Sequence, residues 1–79
     1  MAKRANRMNG SQAIRTIVTR SSMTQRAIAT KMGRAQSYLS TYLSRNVSPR
    51  LDTAAEIANA CGWKLVFVND EGETVEVQA

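Results

Sequence analysis

The chain has 79 residues, one cysteine, no histidine and a net charge of +5. This length predicts a single domain with a small core, which would gain stability from oligomerisation. One cysteine without histidine excludes an internal disulfide and a Cys/His zinc site, so we expect a reducing cytoplasm, no metal and no cofactor. No apolar run is long enough for a signal peptide or a membrane span, so we expect no membrane partner.

The charge is divided along the chain. Residues 1–50 contain ten Lys and Arg and no acid (+10), whereas residues 51–79 contain one Lys and six acids (−5). A polyanion would therefore be attracted to the first part and repelled by the second. A membrane surface would also attract the basic part, but no amphipathic helix with large apolar anchors accompanies it.

The chain begins with a basic segment, residues 1–10, that contains Lys3, Arg4 and Arg7. We expect a flexible arm that lies along a groove or a phosphate strand; a disordered, solubilising terminus is the alternative. Ser11 is expected to cap the first helix. The apolar face of that helix consists of Ile14, Ile17 and Val18.

Residues 23–43 predict two short helices joined by a tight turn. Thr24 is a good N-cap, since its hydroxyl can accept a hydrogen bond from a free amide of the first turn. Gly33 ends this helix, because glycine adopts the left-handed conformation without a Cβ penalty. The small Ala29 allows the two helices to cross closely. The second helix is expected over about residues 35–44.

This pattern resembles the helix-turn-helix of the lambda-repressor and Cro-like (XRE) family. The residues that fall on its cap, polar-contact, core and turn positions are Thr24, Gln25, Ile28, Ala29, Met32, Gly33, Leu39 and Tyr42. The similarity continues through Pro49, Leu51, Thr53, Ile57, Ala58, Ala60 and Gly62 and covers roughly residues 11–62. It implies that the first helix of the pair crosses the DNA backbone and the second enters the major groove. An ordinary helical hairpin without DNA binding is the alternative.

The second helix of the pair is expected to read bases. Leu39, Tyr42 and Leu43 are spaced three and four apart and predict its buried side. The residues expected to read bases are Gln36, Ser37, Ser40, Thr41 and Tyr38. Glutamine can bond adenine N6 and N7 together, which makes Gln36 the first choice for direct readout.

Basic and amide side chains around this helix predict phosphate contacts at the rim of the base-reading side chains. Gln25 opens the first helix of the pair, where free amides and the helix dipole favour an anion. Pro49 fixes the exit loop, residues 44–50, which in the family touches phosphates. The full set predicted to contact phosphates is Gln25, Arg15, Arg20, Arg26, Arg34, Arg45, Asn46, Ser48 and Arg50.

A further helix is predicted from Leu51 to a glycine stop at Gly62. Its buried face is expected to consist of Leu51, Ala54, Ile57, Ala58 and Cys61. Since the chain has no histidine to activate a thiol, Cys61 is expected to be a small core residue.

Residues 63–79 change to an alternating pattern typical of a β-hairpin, with a turn at residues 69–72. A lone hairpin is marginally stable, and the first strand of this one is apolar on nearly both faces, so the simplest cover is the same hairpin of a second copy. Cro-like and antitoxin relatives also dimerise through a C-terminal strand. The predicted interface residues are Trp63, Leu65, Phe67, Val66, Val75 and Val77. A monomer whose hairpin folds onto its own helices is the alternative.

These features predict a mainly α-helical domain of four to five helices, of the lambda-repressor type, with a C-terminal β-hairpin that forms an intersubunit sheet. The expected parts are a flexible basic arm (1–10), a helix-turn-helix domain (11–62) and a dimerising hairpin (63–79). The predicted function is that of a cytoplasmic homodimer, bacterial or phage-encoded, that binds a palindromic operator in double-stranded DNA and represses transcription.

An antitoxin-type module is the alternative from another functional class. Its main partner would be a toxin protein, and its DNA binding would be autoregulatory. An enzyme is not predicted, because the sequence has neither a histidine nor a phosphate-binding glycine loop.

Overall fold

The computed structural model describes residues 7–45 and 47–78. Its elements are the helices α1 (Gly10–Arg20), α2 (Gln25–Met32), α3 (Gln36–Arg45) and α4 (Leu51–Ala60), and the strands β1 (Leu65–Val68) and β2 (Thr74–Val77). The predicted fold, mainly helical with a C-terminal hairpin, is confirmed. Lys3 and Arg4 of the expected basic arm lie outside the described residues, as does Asn46.

The core lies where the four helices meet. The helices α1 and α2 each pack against both α3 and α4. The large side chains that are fully buried are Ile28, Leu39 and Ile57, which come from α2, α3 and α4. Ile14 and Val18 of α1 complete this cluster. Each helix therefore contributes an apolar side chain to one shared core, as their amphipathic patterns require.

The start of α1 differs from the expectation, because Asn9 and not Ser11 is its N-cap. The Asn9 side chain accepts a hydrogen bond from the backbone N–H of Gln12 at 2.9 Å, and the Gln12 side chain accepts one from Asn9 N–H at 3.2 Å. This reciprocal capping box satisfies two free amides at once, which explains why the helix begins earlier. The Ser11 prediction was wrong: Ser11 is buried, and its hydroxyl donates to Asn9 Oδ1.

The turn between α2 and α3 follows the prediction. Thr24 caps α2 by accepting a hydrogen bond from Ala27 N–H at 3.0 Å. Gly33 ends the helix in the left-handed conformation, with φ of 71° and ψ of 30°. Ala29, which is almost fully buried, accepts the backbone N–H of Arg34 at 2.9 Å. The cap, the small residue and the glycine together set the close crossing of the two helices.

Five of the residues expected to be buried lie at the edge of the core or outside it; three of them, Ile17, Leu43 and Ala54, are partly buried and pack against the core cluster. Tyr42 is half-buried and packs edge-on against the ring of Tyr38, with the ring centroids 5.6 Å apart. Leu51 opens α4 and is 54% exposed, so its assignment to the buried face was wrong. Leu51 has the spacing of the buried face, but it is the first residue of α4, and Ala54 of the same turn packs against the core while Leu51 does not. Ala55, which was not predicted, is fully buried instead.

The end of α4 leads directly into the hairpin. Cys61 is buried as predicted, and desolvation by this burial raises the pKa of its thiol. Gly62 adopts a φ of 86°, and the next backbone N–H, that of Trp63, returns to Ala58 O at 2.8 Å. This arrangement is a glycine-terminated helix end of the Schellman type.

The hairpin has the predicted antiparallel strands, but Trp63 precedes β1 and is not part of it. Leu65 pairs with Val77 and Phe67 pairs with Val75, which places these four side chains on one face. Asn69 organises the turn: its Oδ1 accepts the backbone N–H groups of Glu71 and Glu73 at 3.0 and 2.9 Å. The hairpin packs against α4, and only its base is half-buried there.

Candidate nucleic-acid interface

The solvent side of α3 is a short polar surface. Gln36, Ser37 and Thr41 are exposed, and Ser40 is half-exposed. Apart from Arg45 in its last turn, the helix contains no charged residue. The structure thus brings four of the five predicted base-reading residues to one polar, uncharged surface, which we call the reading face (Gln36, Ser37, Ser40 and Thr41).

The hydroxyl groups along α3 are oriented by the helix itself. Thr41 Oγ1 donates to the carbonyl oxygen of Ser37 at 2.8 Å, and Ser44 Oγ donates to that of Ser40 at 2.8 Å. Ser40 Oγ also donates to the carbonyl of Ser37, at 3.2 Å. Because these hydroxyl protons already form hydrogen bonds with carbonyl oxygens of α3, the hydroxyl oxygens can act only as hydrogen-bond acceptors. Acceptors in the major groove suit the amino groups of adenine and cytosine.

Gln36 differs from these hydroxyl residues. It is the first residue of α3, it is exposed, and its amide makes no hydrogen bond within the described part of the chain. Both the donor and the acceptor of this amide are available for a base edge. The N-terminal residues of a recognition helix are the ones that contact bases. Gln36 as the first choice for direct readout stays a prediction.

Tyr38 occupies the edge of α3 that faces α4. Its hydroxyl lies 3.4 Å from Thr53 Oγ1, and its ring packs against Tyr42. The guanidinium of Arg34 lies over the same ring, 4.3 Å from its centroid. Tyr38 thus connects α3 to α4, a contact that the sequence pattern did not reveal. Its contact with a base stays a prediction.

The predicted phosphate contacts are spread over α1, α2 and the segment that follows the reading face. Arg26 is exposed in the first turn of α2, where Gln25 is half-buried. Of the predicted phosphate contacts, Arg45, Ser48 and Arg50 are exposed at and after the end of α3, and Arg20 is exposed at the end of α1. Basic side chains therefore lie on α2, which packs against α3, and on the exit loop that follows α3.

Arg15 ties α1 to the end of α3. Its Nη2 donates a hydrogen bond to the carbonyl oxygen of Leu43 at 2.7 Å. Carbonyls in the last turn of a helix lack intrahelical partners, and a cation there also interacts favourably with the helix dipole. The sequence predicted Arg15 as a phosphate contact, and its link to Leu43 could not be read from spacing because 28 residues separate the two.

The exit loop packs closely on the first residue of α1. A Cβ atom built on Gly10 would lie 2.8 Å from Ser48 Oγ and 3.2 Å from Ser48 Cβ, so a side chain at this position would require the Ser48 side chain to move. Glycine permits this approach because it has no Cβ. Gly10 thus allows α1 to approach Ser48, one of the predicted phosphate contacts, a proximity that the sequence pattern did not indicate.

Arg34 forms an ion pair with Glu56 of α4. Arg34 Nε donates to Glu56 Oε2 at 3.1 Å. This hydrogen bond is the largest of the effects that raise the pKa of the Arg34 guanidinium. Glu56 was not among the predicted site residues, because no helical spacing connects it to residue 34.

Other kinds of site find little support in the described residues. Between residues 7–45 and 47–78, no group of His, Cys, Asp and Glu side chains could hold a metal ion. No helix in these two ranges has the length and the apolar character needed to cross a membrane.

The comparison with protein-family models gives one match, to the helix-turn-helix family, over residues 14–67. The matched region includes α2, α3 and α4 entirely, most of α1 and the first three residues of β1. The chain belongs to the helix-turn-helix family of the lambda-repressor (XRE) type. Neither the curated proteins nor the solved structures yielded a match.

Membership of the helix-turn-helix family makes this protein a DNA-binding regulator of transcription. The helix pair of the family corresponds to α2 and α3, which are joined through Gly33. The resemblance recognised from the sequence is therefore confirmed. The individual contacts with bases and phosphates stay predictions.

Proposed function

We propose that this helix-turn-helix protein is a dimeric repressor that recognises a palindromic operator. The observation that carries the proposal is the reading face of α3, which is polar and uncharged and is adjoined by basic side chains. Base contacts specify a sequence and phosphate contacts position the protein, so this division of chemistry fits sequence-specific binding.

The charge distribution supports a large electrostatic contribution to affinity. All ten basic residues of the first 50 lie in a segment without a single acid. Each phosphate that such a residue neutralises releases a counterion, which makes binding salt-dependent but not sequence-dependent. We assign specificity mainly to Gln36, and affinity mainly to the cations of α2 and of the exit loop.

The hairpin supports the dimeric part of the proposal. Phe67 is 55% exposed and Val75 is 63% exposed, although both are apolar and face the same side of the hairpin. Val66 and Trp63 are exposed as well. Exposed apolar residues this close together are characteristic of an interaction surface. A two-fold dimer formed through them would place its half-sites about 34–36 Å apart, or a multiple of that spacing.

The experiment that tests the proposal is in vitro selection from a random duplex library at near-physiological salt. We expect enrichment of a palindrome whose half-sites are one helical turn apart. Enrichment of a single half-site would contradict the dimer. Binding without any enrichment would contradict sequence-specific recognition and leave only a general affinity for polyanions.

An antitoxin-type role is the second candidate, and the hairpin is the observation that favours it. Its strands and turn combine exposed apolar residues with four acids, at residues 70, 71, 73 and 76. Such a surface suits a basic protein partner with an apolar groove. Size-exclusion chromatography with and without the product of the neighbouring gene tests this role. A stable complex of the two proteins would support it, and separate elution would exclude this partner.

A further inference from the structure

The edge between the helix-turn-helix and α4 contains charges of both signs. Arg34, Arg50, Asp52 and Glu56 line one open depression of about 460 Å³ together with Thr53. Because the first 50 residues contain no acid, Asp52 and Glu56 are the first carboxylates in the chain. The fold brings both of them beside two arginines that the sequence pattern assigns to phosphates. The formal charges in this depression therefore cancel.

Within the depression, Arg34 is held in place by two neighbours. Its Nε donates to Glu56 Oε2 at 3.1 Å, and its guanidinium lies 4.3 Å from the centroid of the Tyr38 ring. The side chains of Arg34 and Glu56 are 45% and 23% exposed, so both remain in reach of a molecule that docks on this edge. An ion pair this exposed adds little to folding stability, and its main effect is on the local electrostatic potential.

We propose that Glu56 is an internal counter-ion that withholds Arg34 from DNA phosphates and thereby lowers the affinity for DNA of any sequence. The inference rests on the proposed DNA-binding function, and it changes the expected role of Arg34 from a phosphate contact to a brace on Tyr38. A phosphate and the Glu56 carboxylate would compete for one guanidinium. Transfer of Arg34 to a phosphate would leave an unpaired carboxylate next to a polyanion, which opposes the exchange.

This arrangement has a clear consequence for specificity. Phosphate contacts strengthen binding to every sequence equally, so an excess of them favours the many non-operator sites of a genome. The Glu56 carboxylate lowers this sequence-independent contribution to DNA affinity and leaves the reading face of α3 unchanged. Glu56 would thus set how tightly the regulator holds DNA that is not its operator.

The test is the salt dependence of DNA binding by the full chain, measured on a selected duplex and on a scrambled one. The variant Glu56→Gln removes the charge but keeps a side chain that can accept the hydrogen bond of Arg34. We expect its affinity to rise on both duplexes by on the order of three- to tenfold, and the slope of log K against log salt to steepen by about one.

A double-mutant cycle with Arg34 completes the test. We expect Arg34→Gln to weaken binding only slightly and to flatten the salt slope by much less than one, because the lost cation made no phosphate contact and the remaining carboxylate adds only a screened repulsion. The double variant should return to within about twofold of the original affinity, since it removes both charges. Thermal unfolding followed by circular dichroism verifies that each variant is folded.

Glu71→Gln is the matched control, because it removes the same charge in the hairpin turn. If it steepens the salt slope as much as Glu56→Gln, the effect reflects total charge and the inference is wrong. The inference is also overturned if Glu56→Gln weakens binding, or if Arg34→Gln flattens the slope by about one. Failure of the original chain to bind any duplex would instead refute the proposed function, and the inference with it.

Discussion

The helical domain and the hairpin differ in how far their apolar side chains are buried. In the helices, the largest apolar side chains of the core, Ile28, Leu39 and Ile57, are fully buried. In the hairpin, Phe67 and Val75 are more than half exposed. The two regions differ in charge as well, since ten of the 11 basic residues precede α4 and four of the six acids lie in the hairpin.

This difference shows that the helical domain buries most of its own apolar side chains, whereas the hairpin does not. Each helix directs its apolar side into one shared core, so the helical domain needs no partner to bury it. The hairpin has only α4 to pack against, and a two-stranded sheet does not cover its own faces. We therefore expect mutations in the helices to act on folding and on DNA binding, and mutations in the hairpin to act on association.

The largest expected effect concerns the core. Leu39→Ala removes a fully buried side chain of α3, and we expect it to lower the free energy of unfolding by roughly 2–5 kcal/mol. Leu51→Ala is the matched control, because the same chemical change at a 54% exposed site should cost less than about 0.5 kcal/mol. Urea denaturation compares the two. Equal losses would contradict the boundary of the core as the structure shows it.

The next effect concerns association. Phe67→Ala should weaken the dimer at least about tenfold, or about 1.4 kcal/mol, because an exposed aromatic side chain of the hairpin would lose its contact in the interface. Sedimentation equilibrium measures the dissociation constant. Leu51→Ala again provides the control, since Leu51 is as exposed as Phe67 but lies outside the hairpin. An unchanged constant for Phe67→Ala would favour the monomeric alternative.

The third effect concerns base recognition. Gln36→Ala should reduce discrimination at one base position by about 1–3 kcal/mol and leave the fold intact, since the amide is exposed and makes no intramolecular hydrogen bond in the described chain. Competition between operator variants measures this discrimination. Gln78→Ala, which changes an exposed glutamine beyond β2, should leave it unaltered. Unchanged base preference would remove Gln36 from direct readout.

The smallest effect concerns phosphate contacts. Arg45→Ala should weaken binding to all duplexes alike and flatten the slope of log K against log salt by about one. Lys64→Ala removes the same charge from the segment that precedes β1, and there we expect little change in the slope. Fluorescence anisotropy over a range of salt concentrations measures both slopes. Equal changes would show that total charge, and not the position of Arg45, governs affinity.

Much of the fold was predictable because the signals that specify it are local. Thr24 and Gly33 mark the ends of α2 through interactions that span one helical turn. The alternation in residues 63–68 and 74–77 predicted both strands, and the second has its observed bounds, whereas the first begins at Leu65 and not at Trp63. The start of α1 was predicted two residues too late although its signal is also local, since Asn9 and Gln12 form a capping box just before the expected cap, Ser11.

The candidate site was predictable only in part. The reading face follows from helical periodicity, because residues that do not face the core must face solvent. The contacts of Tyr38, Arg34 and Arg15 did not follow, since their partners are Thr53, Glu56 and Leu43, which lie 15, 22 and 28 residues away. Which side chain a cation meets across such a distance depends on how helices pack and not on sequence spacing.

The sequence by itself determined the four helices, the hairpin, the glycine turn and the division of charge, because these depend on residue types and on short-range spacing. Only the tertiary structure decided that Leu51 is left outside the core, that Glu56 meets Arg34, and that the hairpin keeps its apolar residues exposed. The physical reason is that burial and ion pairing across helices depend on where whole elements pack, and that packing depends on every element at once.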